Sequence, residues 1–155
     1  MQGRVGLAVM SIALVTSAAV AGELARTEQL KAFKAAGFGT GSSECEQEEA
    51  GSYTPATIEL VRDINDDGRP DALITEGSVA CYGVAGSGFY LVSQQADADW
   101  KLLASGSGVI EFLPEKGADG WPDIQIGGPG TCFAVQRYDG KAYQFHHRAG
   151  SGCDE

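Results

Sequence analysis

Five residues in one short acidic stretch are spaced like the ligands of a calcium ion. In DINDDGRPD, residues 63–71, acid or amide side chains stand at the first, third, fifth and ninth positions: Asp63, Asn65, Asp67 and Asp71. Arg69, at the seventh position, would contribute its main-chain carbonyl oxygen, and Gly68 before it allows a sharp turn. Calcium binds six to eight oxygen ligands, which short loops supply from alternate residues. The stretch therefore predicts one calcium site with these five ligands.

A second interpretation of the same stretch is an acidic turn that holds no metal. Asp and Asn are common in turns because their side chains bond to their own backbone, so NDDG alone needs no ion. Four neighbouring acid or amide oxygens repel one another without a cation, which favours calcium. An EF-hand does not fit, because Ile74 stands at the twelfth position, where that motif has glutamate.

The chain contains a second, degenerate copy of this motif. DGRPDALITEG at 67–77 aligns with DGWPDIQIGGP at 119–129, and CYGV at 81–84 aligns with CFAV at 132–135. The second loop, EKGADGWPD, keeps Asp119 and Asp123 at the fifth and ninth positions. It has Glu115 at the first ligand position and Gly117 at the third. We expect this second loop to fold without metal. Two copies are too few for a solenoid or a closed propeller, so they must pack on each other or on a helix.

Short apolar runs separated by turn residues flank both motifs and predict antiparallel strands. The predicted strands are 57–62, 71–75, 88–94, 100–105, 109–113, 123–127, 132–138 and 142–147. Helical spacing is clear only in 23–36, where Leu24, Leu30 and Phe33 form a stripe that ends before Gly37. The predicted fold class is all-β and mainly antiparallel, with one N-terminal helix and two propeller-blade-like repeats packed together.

The first 21 residues have the pattern of a secretory signal peptide. Arg4 precedes an apolar run that ends near Val20, and Ala19-Val20-Ala21 predicts cleavage after Ala21. The rest, 22–155, is predicted to be a single β domain that is periplasmic or secreted and does not insert into a membrane. Its predicted parts are helix 23–36, loop 37–55, repeat one 56–106, repeat two 107–148 and tail 149–155.

The charge of the chain excludes nucleic acid as a partner. Removal of the signal peptide takes away Arg4 and leaves 10 Lys and Arg against 21 Asp and Glu, a net charge of −11. Such a surface repels nucleic acid phosphates and anionic lipid head groups.

Four cysteines, an even number in an exported chain, predict two disulfides. Cys81 and Cys132 occupy equivalent places in the two repeats. This favours a separate partner for each, namely Cys45 for Cys81 and Cys153 for Cys132. The alternative joins Cys81 to Cys132 and ties the ends together through Cys45 and Cys153. A zinc site at the cysteines is excluded, because their gaps of 36, 51 and 21 residues lack the short paired spacing of zinc ligands.

The stretch from about Tyr53 to Arg148 resembles the small exported bacterial proteins with FG-GAP repeats, also called VCBS repeats. The resemblance is clearest in DGWPDIQIGGPGTCF and RYDGKAY, and in the Asp-x-Asn-x-Asp-Gly-x-x-Asp spacing of residues 63–71. In such repeats this spacing joins two strands and binds calcium. The resemblance implies a blade-like β fold, export and a calcium loop, and it supplies no substrate.

No catalytic set stands out from the sequence. Neither Ser87 nor Ser107 lies in a G-x-S-x-G elbow. His146 and His147 are adjacent in a predicted strand, so they should face opposite sides and not share a site. An aromatic ligand patch around Tyr82, Phe89 and Tyr90 is an alternative to core packing for those residues.

The sequence favours a non-catalytic exported module with one structural calcium loop, which recognises a protein or a glycan. The alternative is a small secreted hydrolase, or an inhibitor of one. A binding module should present an exposed patch, whereas an enzyme should show a cleft with convergent titratable groups of shifted pKa.

Overall fold

A computed structural model describes residues 23–39, 45 and 52–153. The predicted signal peptide, 1–21, lies outside the described residues, as do parts of the predicted loop 37–55 and of the tail 149–155. The helices are α1 (Arg26–Ala35) and α2 (Val79–Tyr82), and short 3-10 turns cover Gly83–Ala85 and Ala118–Gly120. The strands are β1 (Thr54–Arg62), β2 (Asp71–Gly77), β3 (Ser87–Gln94), β4 (Trp100–Ser107), β5 (Val109–Lys116), β6 (Pro122–Gly127), β7 (Phe133–Tyr138) and β8 (Tyr143–Ala149).

The strands form two four-stranded antiparallel sheets. Sheet 1 has the order β1-β2-β3-β4 and sheet 2 has the order β5-β6-β7-β8, so each sheet is a meander of consecutive strands. The predicted fold class of mainly antiparallel strands with a helix near the N-terminus is confirmed. Helix α1 is shorter than predicted, and α2 lies between the predicted strands 71–75 and 88–94, where no helix was predicted. Ser78 begins α2, because its hydroxyl accepts a hydrogen bond of 3.1 Å from the Cys81 N–H.

The two sheets share one apolar cluster. It contains residues of both sheets and of their turns: Ile64, Leu91, Leu103, Trp121, Ile124, Tyr138 and Tyr143. The opposite face of sheet 1 packs on α1 through a second cluster: Ala32, Ala36, Ala72, Ile74 and Val92. Successive residues of β3 point to opposite faces, so Leu91 enters the first cluster and Val92 the second. Sheet 1 is therefore covered on both sides.

Two disulfides join cysteines that lie outside the strands. Cys45 bonds to Cys81 on α2, and Cys132 bonds to Cys153 in the turn after β8. The predicted local pairing is confirmed, and the alternative across the two repeats is wrong. Disulfides form and persist in oxidising compartments, so this pairing indicates an exported protein. Within the described residues, no helix has the length and apolar character needed to cross a membrane.

Candidate functional site

The predicted calcium loop joins β1 to β2 and is folded by its own side chains. The Asp63 carboxylate accepts hydrogen bonds from the Asp67 N–H, at 3.0 Å, and from the Gly68 N–H, at 2.7 Å. Gly68 has a φ of 85° and Asp66 a φ of 63°, so the chain turns through the left-handed region. Glycine tolerates that conformation without strain, and Asp is among the side chains that adopt it most readily. The sharp turn that the sequence predicted at Gly68 is present.

Asp67 is held by neighbours within the loop. Its Oδ1 accepts from the Arg69 N–H at 2.9 Å. Its Oδ2 accepts from Asn65 Nδ2 at 3.1 Å and from Arg69 Nη2 at 2.5 Å. Arg69 Nε also donates to the Gln94 carbonyl at 3.0 Å. The sequence left the Arg69 side chain without a role, whereas the guanidinium supplies positive charge directly beside Asp67.

Asp71 and Asn65 are buried, and each keeps one oxygen without a hydrogen bond. Asp71, fully buried at the start of β2, accepts from the Ile64 N–H through Oδ2 at 2.8 Å. Its Oδ1, and Oδ1 of Asn65, have no hydrogen-bond partner among the described residues. Asn65 is only 8% exposed. A buried polar atom without a partner costs about 1–3 kcal/mol, so two such atoms in one loop call for a ligand.

Burial raises the pKa of the Asp71 carboxyl to about 6. The Ser93 side chain and the Ile64 N–H lower this pKa, and the charges of Asp67 and Asp63 raise it. Ser93 lies near enough to act on Asp71, yet its geometry does not satisfy Oδ1. None of the ion pairs among the described residues involves Asp71. Its charge at neutral pH is therefore buried without a protein cation.

The five predicted ligands lie in one loop. The carboxylates of the three aspartates among them are not directed to one point. No three Asp, Glu, His or Cys side chains in the described part of the chain form a group that could hold a metal ion. Asp63 faces main-chain amides and Asp67 faces Arg69, so the two free oxygens belong to Asn65 and Asp71. All the donors are hard oxygens, which calcium prefers. These residues fit a calcium ion if Asp63 and Asp67 exchange their present hydrogen bonds for it.

The second repeat handles the equivalent aspartate differently. Asp123, near the start of β6, is 1% exposed and receives two hydrogen bonds from Arg137, from Nε at 2.9 Å and from Nη2 at 2.8 Å. Ile124 pairs with Gln136, so Arg137 lies across from Asp123, just as Ser93 lies across from Asp71 in sheet 1. The hydrogen bonds to Asp123 raise the pKa of Arg137. This ion pair was not predicted from the sequence.

The degenerate loop between β5 and β6 contacts the predicted calcium loop. Lys116 Nζ lies 3.2 Å from Asp66 Oδ2, and Asn65 Nδ2 donates to the Asp119 carbonyl at 3.4 Å. A Cβ on Gly120 would lie 2.7 Å from the Asn65 carbonyl oxygen, so only glycine permits this approach. The loops border a cavity of about 300 Å³ lined by residues of both loops and of β3: Asn65, Asp67, Arg69, Ser93, Asp119 and Trp121. The loop 63–71 thus lies at the boundary between the sheets.

Close packing explains why Gly117 replaces a ligand in the second loop. A Cβ at Gly117 would lie 2.5 Å from the Tyr138 carbonyl oxygen, so no side chain is accommodated there. The position equivalent to Asn65 is therefore occupied by backbone of β7.

The aromatic patch that the sequence offered as an alternative to core packing is not one exposed surface, and this alternative is corrected. Phe89 is fully buried in sheet 1, whose two faces are both covered. Tyr82 and Tyr90 instead donate hydrogen bonds to the buried Glu76, as does Tyr53, whose hydroxyl lies 2.7 Å from Oε2. Burial raises the pKa of both Tyr82 and Tyr90, so they remain neutral donors. Sequence reasoning missed Glu76. Its position two and four residues after the core residues Ile74 and Ala72 of β2 was a usable signal, because alternate residues of a strand share a face.

The two histidines were predicted to face opposite sides of β8, and this prediction is wrong. Val135 pairs with His147 and Gln136 pairs with Phe145, so His146 is an extra residue in β8. Such a bulge interrupts the alternation of side chains. The two imidazole rings contact each other, with centroids 4.9 Å apart.

Comparisons with known proteins provide no relative for this chain. No family model matches it, and no curated protein or solved structure matches it either. The relation to FG-GAP or VCBS repeats therefore stays a prediction from the loop residues and the repeated motif.

Proposed function

We propose that this protein is a non-catalytic binding module of the FG-GAP or VCBS kind, periplasmic or secreted, with one structural calcium ion in its 63–71 loop. The ligands are the side-chain oxygens of Asp63, Asn65, Asp67 and Asp71 and the carbonyl of Arg69. Two disulfides support export, and the ligand spacing supports calcium. The partner in this proposal is a protein or a glycan, and the net charge of −10 opposes binding to nucleic acid.

The observation that carries the proposal is the buried Asp71 carboxylate, which has an unpartnered oxygen and no ion pair. Burying a charge without a counter-ion is unfavourable by several kcal/mol. In sheet 2 the chain supplies Arg137 for the same purpose, whereas Ser93 in sheet 1 is uncharged. A divalent cation at the loop would neutralise Asp71 and give a partner to the free oxygen of Asn65.

The loop has enough hydrogen bonds of its own to fold before the ion binds. Asp63 fixes the turn through two main-chain amides, and Arg69 occupies the flank of Asp67. Calcium therefore adds stability to a formed loop and is not required for folding. Because Asn65 also contacts the second loop at Asp119, a bound ion would stabilise the boundary between the sheets as well.

Calorimetric titration with Ca²⁺ and thermal melting in about 1 mM free calcium or in chelator test the proposal. Extracellular calcium modules bind with dissociation constants of about 0.1–1 mM. At about 1 mM free calcium and 0.1 mM affinity, the linked stabilisation is about 1.4 kcal/mol. The melting temperature should then rise by a few degrees. Identical melting in calcium and in chelator, with no heat of binding, would contradict the proposal.

Asp67→Ala should abolish the calcium-dependent shift, since it removes a ligand. Asp97→Ala is the matched control. Asp97 accepts a hydrogen bond from the Asp99 N–H at 3.1 Å in the β3–β4 turn. It therefore stabilises a turn, as the acidic residues of the calcium loop do. It lies outside the proposed site, and its variant should keep the whole shift.

A further inference from the structure

The bulge in β8 creates a pair of side chains that the alternation of a regular strand would separate. The register passes from Val135–His147 to Gln136–Phe145, which leaves His146 without a cross-strand partner. A bulge re-aims the side chain of the extra residue. Both histidines are exposed, and their rings are close, with an interplanar angle of 77°.

The separation of the two rings matches that of imidazoles bound to one transition-metal ion. Metal–nitrogen bonds of about 2.0–2.1 Å place each ring centroid about 3.2 Å from the ion. Angles at the metal of about 90–109° then put the two centroids about 4.5–5.2 Å apart. The observed separation of 4.9 Å lies inside this range. The separation of the ring centroids is therefore compatible with both rings binding the same ion.

We infer that His146 and His147 form a surface site for a divalent transition-metal ion of the kind that imidazole prefers, Cu²⁺ or Zn²⁺. This site is distinct from the calcium loop, because calcium prefers oxygen ligands and the two histidines offer nitrogen. The described residues add no third Asp, Glu, His or Cys ligand to the pair, so water completes the coordination. The excess of acidic residues over basic ones attracts cations to the surface in general.

The order of affinities is set by the metal. Nitrogen sites bind divalent ions in the order Co²⁺, Ni²⁺, Cu²⁺, with Zn²⁺ below Cu²⁺. Copper should therefore bind more tightly than zinc or nickel, and magnesium should not compete. Loss of either histidine should weaken copper binding about tenfold or more, since even residues that only support a metal ligand matter by about 10–100-fold.

Titration of the untagged full chain with Cu²⁺ and with Zn²⁺, in saturating calcium, tests the inference. His146→Gln and His147→Gln should each lose about tenfold or more in copper affinity. Arg148→Gln, on the next exposed residue of β8, is the matched control and should bind copper at least as well as the unchanged chain. All three positions are exposed, so melting curves should remain similar.

Electron paramagnetic resonance of the copper complex should show coupling to two imidazole nitrogens, and to fewer in each histidine variant. If both histidine variants bind copper like the unchanged chain, or if the unchanged chain binds no copper, the inference is overturned. Either result leaves the calcium proposal unaffected, because that proposal is tested with a different ion and concerns a different part of the protein.

Discussion

Asp71 in sheet 1 and Asp123 in sheet 2 are both buried near the start of the second strand of their sheet, yet their charges are treated differently. Asp123 receives a two-pronged contact from Arg137, which lies across from it on the next strand. Asp71 faces Ser93, accepts one hydrogen bond through Oδ2 and has a raised pKa. One repeat carries its counter-ion in the chain, and in our proposal the other takes an ion from solution.

The comparison also explains why the loops before these strands diverged. Glu115 and Gly117 replace two ligand positions in the second loop, and Gly117 is pressed against the Tyr138 carbonyl. Once Arg137 neutralises Asp123, the preceding loop has no need of oxygen ligands. In sheet 1 the loop retains its oxygen ligands. Ser93, which lies across from Asp71, is uncharged and cannot act as a counter-ion.

The largest effect is expected from breaking the ion pair of sheet 2. Arg137→Ala leaves Asp123 buried without a cation. Removing one partner of a buried pair is strongly destabilising, and the Asp123 side chain is only 1% exposed, so we expect a larger loss of stability here than in the other variants. Urea unfolding measures the loss. Arg148→Ala, on an exposed residue of the neighbouring strand, should change the free energy of unfolding by less than about 0.5 kcal/mol. Similar losses in the two variants would show that the pair is not the cause.

Removal of the Asp71 charge should raise the free energy of unfolding in the absence of calcium, whereas Arg137→Ala should lower it. Its folded pKa, about 6, lies above the ordinary value of 3.8, so the folded state favours the protonated form. The stability contributed by this group is fully present below pH 3.8 and is lost as the pH rises through 6. Asp71→Asn should therefore raise the free energy of unfolding in chelator at pH 7.5 by about 2–3 kcal/mol.

Urea unfolding of this variant and of the unchanged chain at two pH values checks the sign. The advantage of Asp71→Asn should shrink by about 2 kcal/mol at pH 4.5, where the native carboxyl is already protonated. In saturating calcium the variant should lose its advantage, because it lacks a charged ligand. A variant that is less stable than the unchanged chain in chelator at both pH values would contradict the role assigned to the buried charge.

A smaller effect is expected when sheet 1 is given the counter-ion of sheet 2. Ser93→Arg places a guanidinium opposite Asp71, and the adjoining cavity of about 300 Å³ provides room for it. We expect the calcium-dependent stabilisation of about 1.4 kcal/mol to disappear while the stability in chelator rises. Melting in calcium and in chelator measures both quantities. Ser93→Ala removes the hydroxyl without adding charge and should retain the calcium response.

Local pattern explains how much of this architecture was predictable. Alternating apolar residues and turn residues predicted the strands, and the repeat predicted which cysteines pair. The Asp123–Arg137 pair was missed because it depends on cross-strand register, which a single strand does not reveal. The contact between His146 and His147 was missed because a bulge breaks the two-residue period. The choice between core packing and an aromatic patch for Phe89 depended on both faces of sheet 1 being covered, which is a property of the assembled layers.

The smallest expected effect concerns Asp119. Variants of this residue distinguish a calcium site built from one loop and a site shared between the two repeats. Asn65 donates to the main-chain carbonyl of Asp119, so truncation of the Asp119 side chain leaves this contact in place. Asp119 has a φ of 53°, a conformation that Ala adopts with more strain than Asp or Asn. Asp119→Ala should therefore lower the stability by about 1 kcal/mol equally in calcium and in chelator.

Asp119→Asn, which tolerates the same φ, should lower the stability by less than Asp119→Ala does. For both variants the calcium-dependent shift in melting temperature should equal that of the unchanged chain. A reduced shift in both would mean that the Asp119 carboxylate binds the ion and that the second repeat, despite its lost ligands, completes the site of the first. A reduced shift in Asp119→Ala alone would instead trace to backbone strain transmitted through the Asn65 contact.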